Sequence, residues 1–255
     1  MKNGIIYKYL SVKDALRVVM NKTLKFSQPF DFNDPFDCYE KLLKFDVTEE
    51  FIKEHLEKGI LQLDENERKL SSSELISHLK KNTYTFENND VKKVFENSKK
   101  QLWISCFSKT YKEILMWSHY GNNHKGVCIG FNYKGLSETF DFIPSKVKYK
   151  KKFKKVDYCN DYQKALNYLI NTKSKNWKYE KEIRLRTNKD FAPSLNENGI
   201  ISIKPSSISR IIIGCNCNIN LSSLSKRLTK MNYSNVELIK LSKSENSFSF
   251  DEARI

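Results

Sequence analysis

The sequence predicts a mixed α+β fold, with a mostly antiparallel sheet as its body and a helical insertion interrupting that body. Three observations lead there. Strand-like runs recur through residues 1–47 and 102–255 without helices regularly between them, which disfavours a doubly wound parallel sheet. Residues 48–101 differ in character: they are highly charged, contain a single glycine and no proline, and repeat apolar residues at three- and four-residue steps. The chain as a whole is 39% hydrophobic with thirteen Tyr and sixteen Phe, a composition that folds.

Each element has a local reason. Ile5–Tyr9 is β-rich, and Ser11 is placed to cap a helix over Asp14–Met20. Thr23–Ser27 alternates as a second strand. Pro29 and Pro35 bracket a loop, Phe32-Asn33-Asp34-Pro35-Phe36-Asp37, in which Asn33 or Asp34 satisfies backbone donors while both Phe residues plug the core. In the insertion, which we read as a lid, helices are expected over Glu49–Leu61, Ser73–Lys81 and Asp90–Lys100, with His55 and His78 as surface or packing residues. Trp103–Phe107 reads as a strand, a helix follows through Ile114–Trp117, and Gly126–Phe131 returns as an apolar strand. A basic strand-like segment then runs to Val156, and Asp161–Ile170 reads as a helix. Strands are expected at Glu182–Arg186, Ile200–Lys204 and Arg210–Ile213. A helix near Leu221–Met231 and strands at Val236–Leu241 and Phe248–Phe250 close the chain.

Composition narrows the function. No apolar run approaches the roughly 20 residues of a membrane helix, and the N-terminus lacks a signal-peptide apolar stretch, so a cytoplasmic protein without membrane attachment is expected. Cys38, Cys106, Cys128 and Cys159 stand alone, as buried small hydrophobes do. Cys215 and Cys217 form a C-x-C, but no second Cys/His pair completes zinc-finger spacing, and no metal is expected. A net charge of +15 points to an acidic partner, either nucleic acid or an anionic nucleotide. Only seven of the 45 basic residues are Arg, however, and a Lys- and Asn-rich chain is also what an AT-rich genome produces. P-loop, G-x-G-x-x-G, H-E-x-x-H and G-x-S-x-G signatures are absent. Oligomeric state is not legible.

Three segments can carry chemistry. Trp117-Ser118-His119-Tyr120 offers a nucleophile, a proton carrier and a phenol at a helix end, with His124 and Lys125 in the loop that follows. Neighbours on a helix point about 100° apart, so Ser118 and His119 do not face one atom; the structural alternative packs Trp117 and Tyr120 in the core. In Trp177–Arg186, strand pairing from Glu180 would put Glu180, Glu182, Arg184 and Arg186 on one face. These residues either form cross-strand ion pairs or supply a carboxylate for developing positive charge beside an arginine for phosphate. Lys148–Lys155 interleaves Tyr149 and Phe153 with lysines, which suits a stacking platform with a phosphate track, or a solvated edge strand.

Taken in order, Tyr7–Tyr9, FNDPFD, Cys106–Ser108, Met116–Phe131, Trp177–Leu185 and Ile211–Gly214 resemble an uncharacterised bacterial family of about this length. Its members are associated with phage defence or abortive infection. A more distant resemblance is to ADP-ribosyltransferase folds, especially the DNA-modifying branch. That resemblance implies NAD as cofactor, with Tyr7 or Tyr9 on the first strand, Ser27 after the second, and Glu180 or Glu182 as the later catalytic carboxylate. The first strand carries neither the His nor the Arg of that pattern. Around these, His119 and Tyr120 join the catalytic set, while Asn33, Trp117, Ser118, His124, Lys125 and Arg184 are candidate cofactor contacts. Glu182 would stabilise the ribosyl cation, and Tyr120 or Trp117 would stack on nicotinamide. Two rivals account for the same features. One is a metal-dependent nuclease using Asp34, Asp37, His119, Glu180 and Glu182. The other is a nucleic-acid or phage-component sensor without turnover.

Overall fold

The computed structural model describes residues 4–46, 48–58, 63–83, 90–233 and 235–255. Strands in chain order are β1 (Ile5–Leu10), β2 (Thr23–Lys25), β3 (Leu43–Lys44), β4 (Trp103–Ser108), β5 (Val127–Asn132), β6 (Ile143–Lys146) and β7 (Lys148–Lys150). They continue as β8 (Val156–Asp157), β9 (Thr172–Ser174), β10 (Glu182–Thr187), β11 (Ile200–Ser202), β12 (Ile208–Ile213), β13 (Glu237–Lys243) and β14 (Phe250–Arg254). The helices are α1 (Val12–Asn21), α2 (Glu49–Glu57), α3 (Ser72–Thr83), α4 (Asp90–Lys100), α5 (Ile114–His119), α6 (Tyr133–Ser137), α7 (Tyr162–Asn171) and α8 (Leu221–Lys230).

These elements group into two compact units. The first comprises Met1–Ser27, Trp103–Val147 and Asn176–Ile255; the second comprises Gln28–Leu102 and Lys148–Lys175. The helical run at 48–101 therefore shares its unit with two segments that the sequence reading assigned to the body. The reason is a common core: Leu42, Leu43, Tyr158, Ala165 and Leu169 bury against Ile52, Leu75 and Phe95.

The first unit is built on an eight-stranded sheet in the order β14-β13-β12-β5-β1-β4-β10-β6. Every pairing in it is antiparallel except β12 with β13, which α8 connects. A parallel pair requires such a crossover. Alternation gives the sheet two different faces. On one, Ile6, Val127, Ile129, Phe131, Ile211 and Ile213 pack with Ala15, Val18 and Val19 of α1. Ser11 starts α1 by accepting from Asp14 N at 3.1 Å, and Lys22 ends it in a left-handed conformation. On the other face, Tyr7, Tyr9, Cys128, Ile212 and Ile239 lie under Met116, Trp117 and Tyr111.

In the second unit two helices start on recognisable caps, with Asp161 accepting from Lys164 N at 2.9 Å ahead of α7. Ser71 and Glu74 form a reciprocal capping box ahead of α3. The short parallel pair β3 with β8 joins the unit's two segments, and a second parallel pair, β7 with β9, closes the later segment on itself. The loop at Phe32–Asp37 forms the expected Asx turn, with Asp34 Oδ1 accepting from Phe36 N at 2.9 Å. Phe36 does not plug the core, being 59% exposed, whereas Phe32 is partly buried against it. The basic segment is strand only at Lys148–Lys150, and bends afterwards. The end of the first insertion helix, from residue 59, and the side chain of His55 lie outside the described residues.

Candidate active site

The site is organised by one register line across the sheet of the first unit. Glu237, Arg210, Gly130, Tyr7, Ser108 and Glu182 are successive cross-strand partners on β13, β12, β5, β1, β4 and β10. With strands about 4.8 Å apart, Glu182 lies two strands, or roughly 10 Å, from Tyr7. Period-two alternation turns all of these residues to one face.

Gly130 permits the middle of the line. A Cβ there would stand 2.9 Å from Arg210 Cβ and 3.1 Å from Tyr7 Cε1. Across this gap Arg210 Nη1 donates to Tyr7 Oη at 2.9 Å, while Arg210 Nε pairs with Glu237 at 2.7 Å. Burial raises the Tyr7 pKa, and the Arg210 charge works against that rise. Tyr111 stacks obliquely on Tyr7 at 4.9 Å and donates to Glu252 at 3.0 Å; burial and that carboxylate push its pKa to about 12.

At the other end, the chain passes from a short 3-10 turn, Lys175–Glu180, into β10 through Lys181, whose φ is +47°. This left-handed residue separates two buried carboxylates. Glu180 is 3% exposed and accepts from Tyr120 Oη at 2.8 Å, and its backbone carbonyl accepts from Ser108 Oγ at 2.7 Å. Glu182 receives Arg184 Nε at 2.7 Å and Nη2 at 3.2 Å, with Arg184 fully buried. Such a two-point contact fixes both groups. Beside them, His119 is exposed and has the rings of Tyr179, Tyr120 and Trp177 at 6.1, 6.3 and 6.3 Å.

The structure thus brings together Tyr120, Glu180, Glu182 and Arg184, with His119 next to Tyr120, and puts Tyr7 on the same face. The other candidates fall elsewhere. Trp117 is a core residue: it is 1% exposed, its Nε1 donates to Tyr111 O at 2.7 Å, and Tyr9 packs edge-on at 5.1 Å. No face of that indole is open to a stacked ligand. Tyr9 spends its hydroxyl on Thr110 O at 2.9 Å, and burial raises its pKa beyond the phenol range. Ser118 meets His124 Nε2 at 2.9 Å rather than His119. His124 borders a different cleft, of about 720 Å³, shared with Cys215 and Lys243–Phe250. Lys125 is exposed in the same loop. Ser27 exchanges two backbone hydrogen bonds with Ile104, each of 2.9 Å. Asn33, Asp34 and Asp37 belong to the second unit, where Asp37 pairs with Lys173 at 3.5 Å. Among the described residues no group of three or more His, Cys, Asp or Glu is arranged to hold a metal ion. All six cysteines are unbridged. No helix among the described residues is long and apolar enough to cross a membrane.

Sequence reasoning missed Ser108, Arg210, Trp177 and Tyr179 as site neighbours. The signal was partly present, because Ser108 ends the Trp103–Ser108 strand and Arg210 is a charged side chain just before the apolar Ile211–Ile213. The register that aligns them is a long-range property no local pattern carries.

Residues 116–185 match the model of DUF2971, a family described as a protein of unknown function. The match runs from within α5 through β5 to the first part of β10, and so includes Tyr120, Glu180 and Glu182. No curated protein and no solved structure matches the chain.

Proposed function

We propose that this protein is an NAD-dependent, ADP-ribosyltransferase-like effector, acting in antiviral defence or as a toxin on nucleic acid or a nucleic-acid-associated target. The observation that carries the reading is the carboxylate pair, Glu180 and Glu182, buried at the start of a strand beside the exposed ring of His119. Cleavage of the nicotinamide–ribose bond sends the bonding electrons to nicotinamide and leaves positive charge on the ribose. A fixed carboxylate in a dry site stabilises that charge. Glu180, held by Tyr120, is the group we assign this role. Glu182 is the positioning residue, because Arg184 engages both of its oxygens. Tyr179 and Trp177 replace Trp117 as the rings for nicotinamide, and His119 takes the proton of the attacking acceptor.

Nicotinamide release from NAD, with and without single-stranded DNA or RNA, tests this reading. Turnover is expected for the wild type, with a loss of at least about 100-fold in Glu180→Gln, the scale of losing one electrostatic stabiliser. Tyr120→Phe should retain the fold and lower kcat at constant pH. Nicking that depends on Mg²⁺ or Mn²⁺ without NAD loss would replace the reading with a nuclease. A second reading, a nucleic-acid sensor without turnover, is favoured by the complete burial of Arg184 against Glu182, as in a structural ion pair. Binding with neither activity would establish it.

A further inference from the structure

The second unit contains a small cleft of about 270 Å³ whose lining includes Phe36, Tyr39, Phe153, Lys150 and Lys151. Its aromatic wall is stepped. Phe36 meets Tyr39 edge-on at 5.5 Å, and Tyr39 meets Phe153 edge-on at 6.4 Å. Phe36 is 59% exposed and Phe153 is 44% exposed, so part of each ring is open to solvent. The floor is rigid. Thr172–Ser174 pairs with Lys148–Lys150, and Lys173 is buried against Asp37 at 3.5 Å.

Two exposed lysines, Lys150 and Lys151, line the cleft, and they belong to a longer basic run. Six of the eight residues from Lys148 to Lys155 are lysine, with no acidic residue among them. Lys148, Lys150, Lys151, Lys152, Lys154 and Lys155 are all exposed, and none is in an ion pair among the described residues. Lys150 Nζ rests over the Tyr168 ring at 4.8 Å, which holds its stem beside the cleft. A solvated edge strand would explain lysines, but the chain leaves strand geometry at residue 151 and brings Phe153 back to the cleft. Cations alone suit any polyanion. Exposed aromatic faces between them suit one whose charges alternate with flat rings.

We infer that this cleft is a binding site for single-stranded nucleic acid, with a base against Phe153 and Phe36 and the adjoining phosphates on Lys150, Lys151 and Lys152. The volume is near the low end of small-molecule sites, roughly 300–1,000 Å³, and accommodates one base while the flanking strand runs over the lysines. The inference is independent of NAD cleavage, because it involves neither Glu180 nor any residue of the first unit.

The test is fluorescence anisotropy of the full-length protein with labelled twelve-residue oligothymidylate, the abasic oligomer of the same length, and polyglutamate as competitor. Oligothymidylate should bind at least about fivefold tighter than the abasic strand, the low end of what one base–aromatic stack contributes. Phe153→Ala should remove that difference. Lys151→Gln/Lys152→Gln should lower both affinities and reduce the slope of log K against log salt by about 1.4, or ~0.7 for each phosphate no longer neutralised on a single strand. Both aromatic positions are exposed, so the variants should melt with the wild type; Phe153→Leu serves if Phe153→Ala does not. Equal affinity for the abasic strand, or displacement by polyglutamate at equal charge, would overturn the inference in favour of a general polyanion or acidic-peptide surface. Nicotinamide release without nucleic acid should be unchanged in these variants, so failure here and failure of the NAD reading are separate results.

Discussion

At the scale of single residues, glycine placement decides whether the candidate site can form. Gly130 lies between Arg210 and Tyr7, and Gly126 opens β5 where the α5 loop closes on β1. A Cβ on Gly126 would stand 2.2 Å from Leu10 O and 2.7 Å from Gly121 O, both backbone atoms with nowhere to go. At Gly130 the closest atom, Arg210 Cβ, moves only with its backbone, but it stands at 2.9 Å, and the next two, Ile5 Cγ2 at 3.0 Å and Tyr7 Cε1 at 3.1 Å, belong to side chains, so the clash is milder. Gly130→Ala is therefore expected to cost about 1–3 kcal/mol, the usual range for overpacking, and Gly126→Ala more than that. Urea unfolding of the two variants checks the order. A Gly126→Ala protein as stable as Gly130→Ala would show that the loop relaxes freely. The same contrast explains part of what the HKGVCIGF run is for. The sequence offers two glycines in an apolar strand; the structure supplies the atoms that exclude a side chain.

At the scale of elements, β10 shows how far alternation can be read. Glu182, Arg184 and Arg186 do share a face, as the period of two requires. Glu180 does not belong to that strand, because Lys181 takes a positive φ and places Glu180 in the preceding turn. A left-handed lysine has no local sequence signature, so the break was illegible. The basic segment failed for a related reason: alternation of Tyr149 and Phe153 suggested one long strand, yet pairing stops at Lys150 where β9 ends. The Glu182–Arg184 pair carries an element-scale prediction. Removing one member of a buried pair takes away the other's nearest countercharge, typically ~3–5 kcal/mol, less here because Lys8 also acts on Glu182, whereas replacing both with apolar groups costs far less. Arg184→Met should thus destabilise more than the double variant Glu182→Leu/Arg184→Met. Denaturant unfolding gives the cycle, and additive effects would mean that the two side chains are not energetically coupled.

At the scale of the molecule, the longer strands and helices were foreseeable from their own periodicity, caps or turns, whereas the short elements α6, β3 and β9 were not, and the last strand runs over Phe250–Arg254 rather than Phe248–Phe250. The assembly of the elements was not foreseeable. The division into units follows from Tyr158 and Leu169 sharing a core with Ile52 and Phe95, a contact spanning about a hundred residues that composition cannot reveal. The same loop that closes on β5 leaves a mark on global stability. Asn122, Asn123 and His124 all adopt positive φ, which turns the His124 ring onto Ser118 and beside Phe250, with Nδ1 buried and without a hydrogen-bond partner among the described residues. Burial, and then the charge of Lys243, lower its pKa. Its folded pKa therefore lies below the unfolded value of about 6.5, and on acidification the unfolded chain takes up the proton first. The sign follows: His124 costs nothing above that pH and destabilises the fold progressively as pH falls through it. Net positive charge, already +15, grows over the same interval and adds self-repulsion. Thermal melts at pH 7.5, 6.5 and 5.5 should show a falling midpoint, and His124→Gln, which keeps a donor for Ser118, should show a shallower fall. Parallel curves for the two proteins would assign the acid sensitivity to net charge alone and remove His124 from the account.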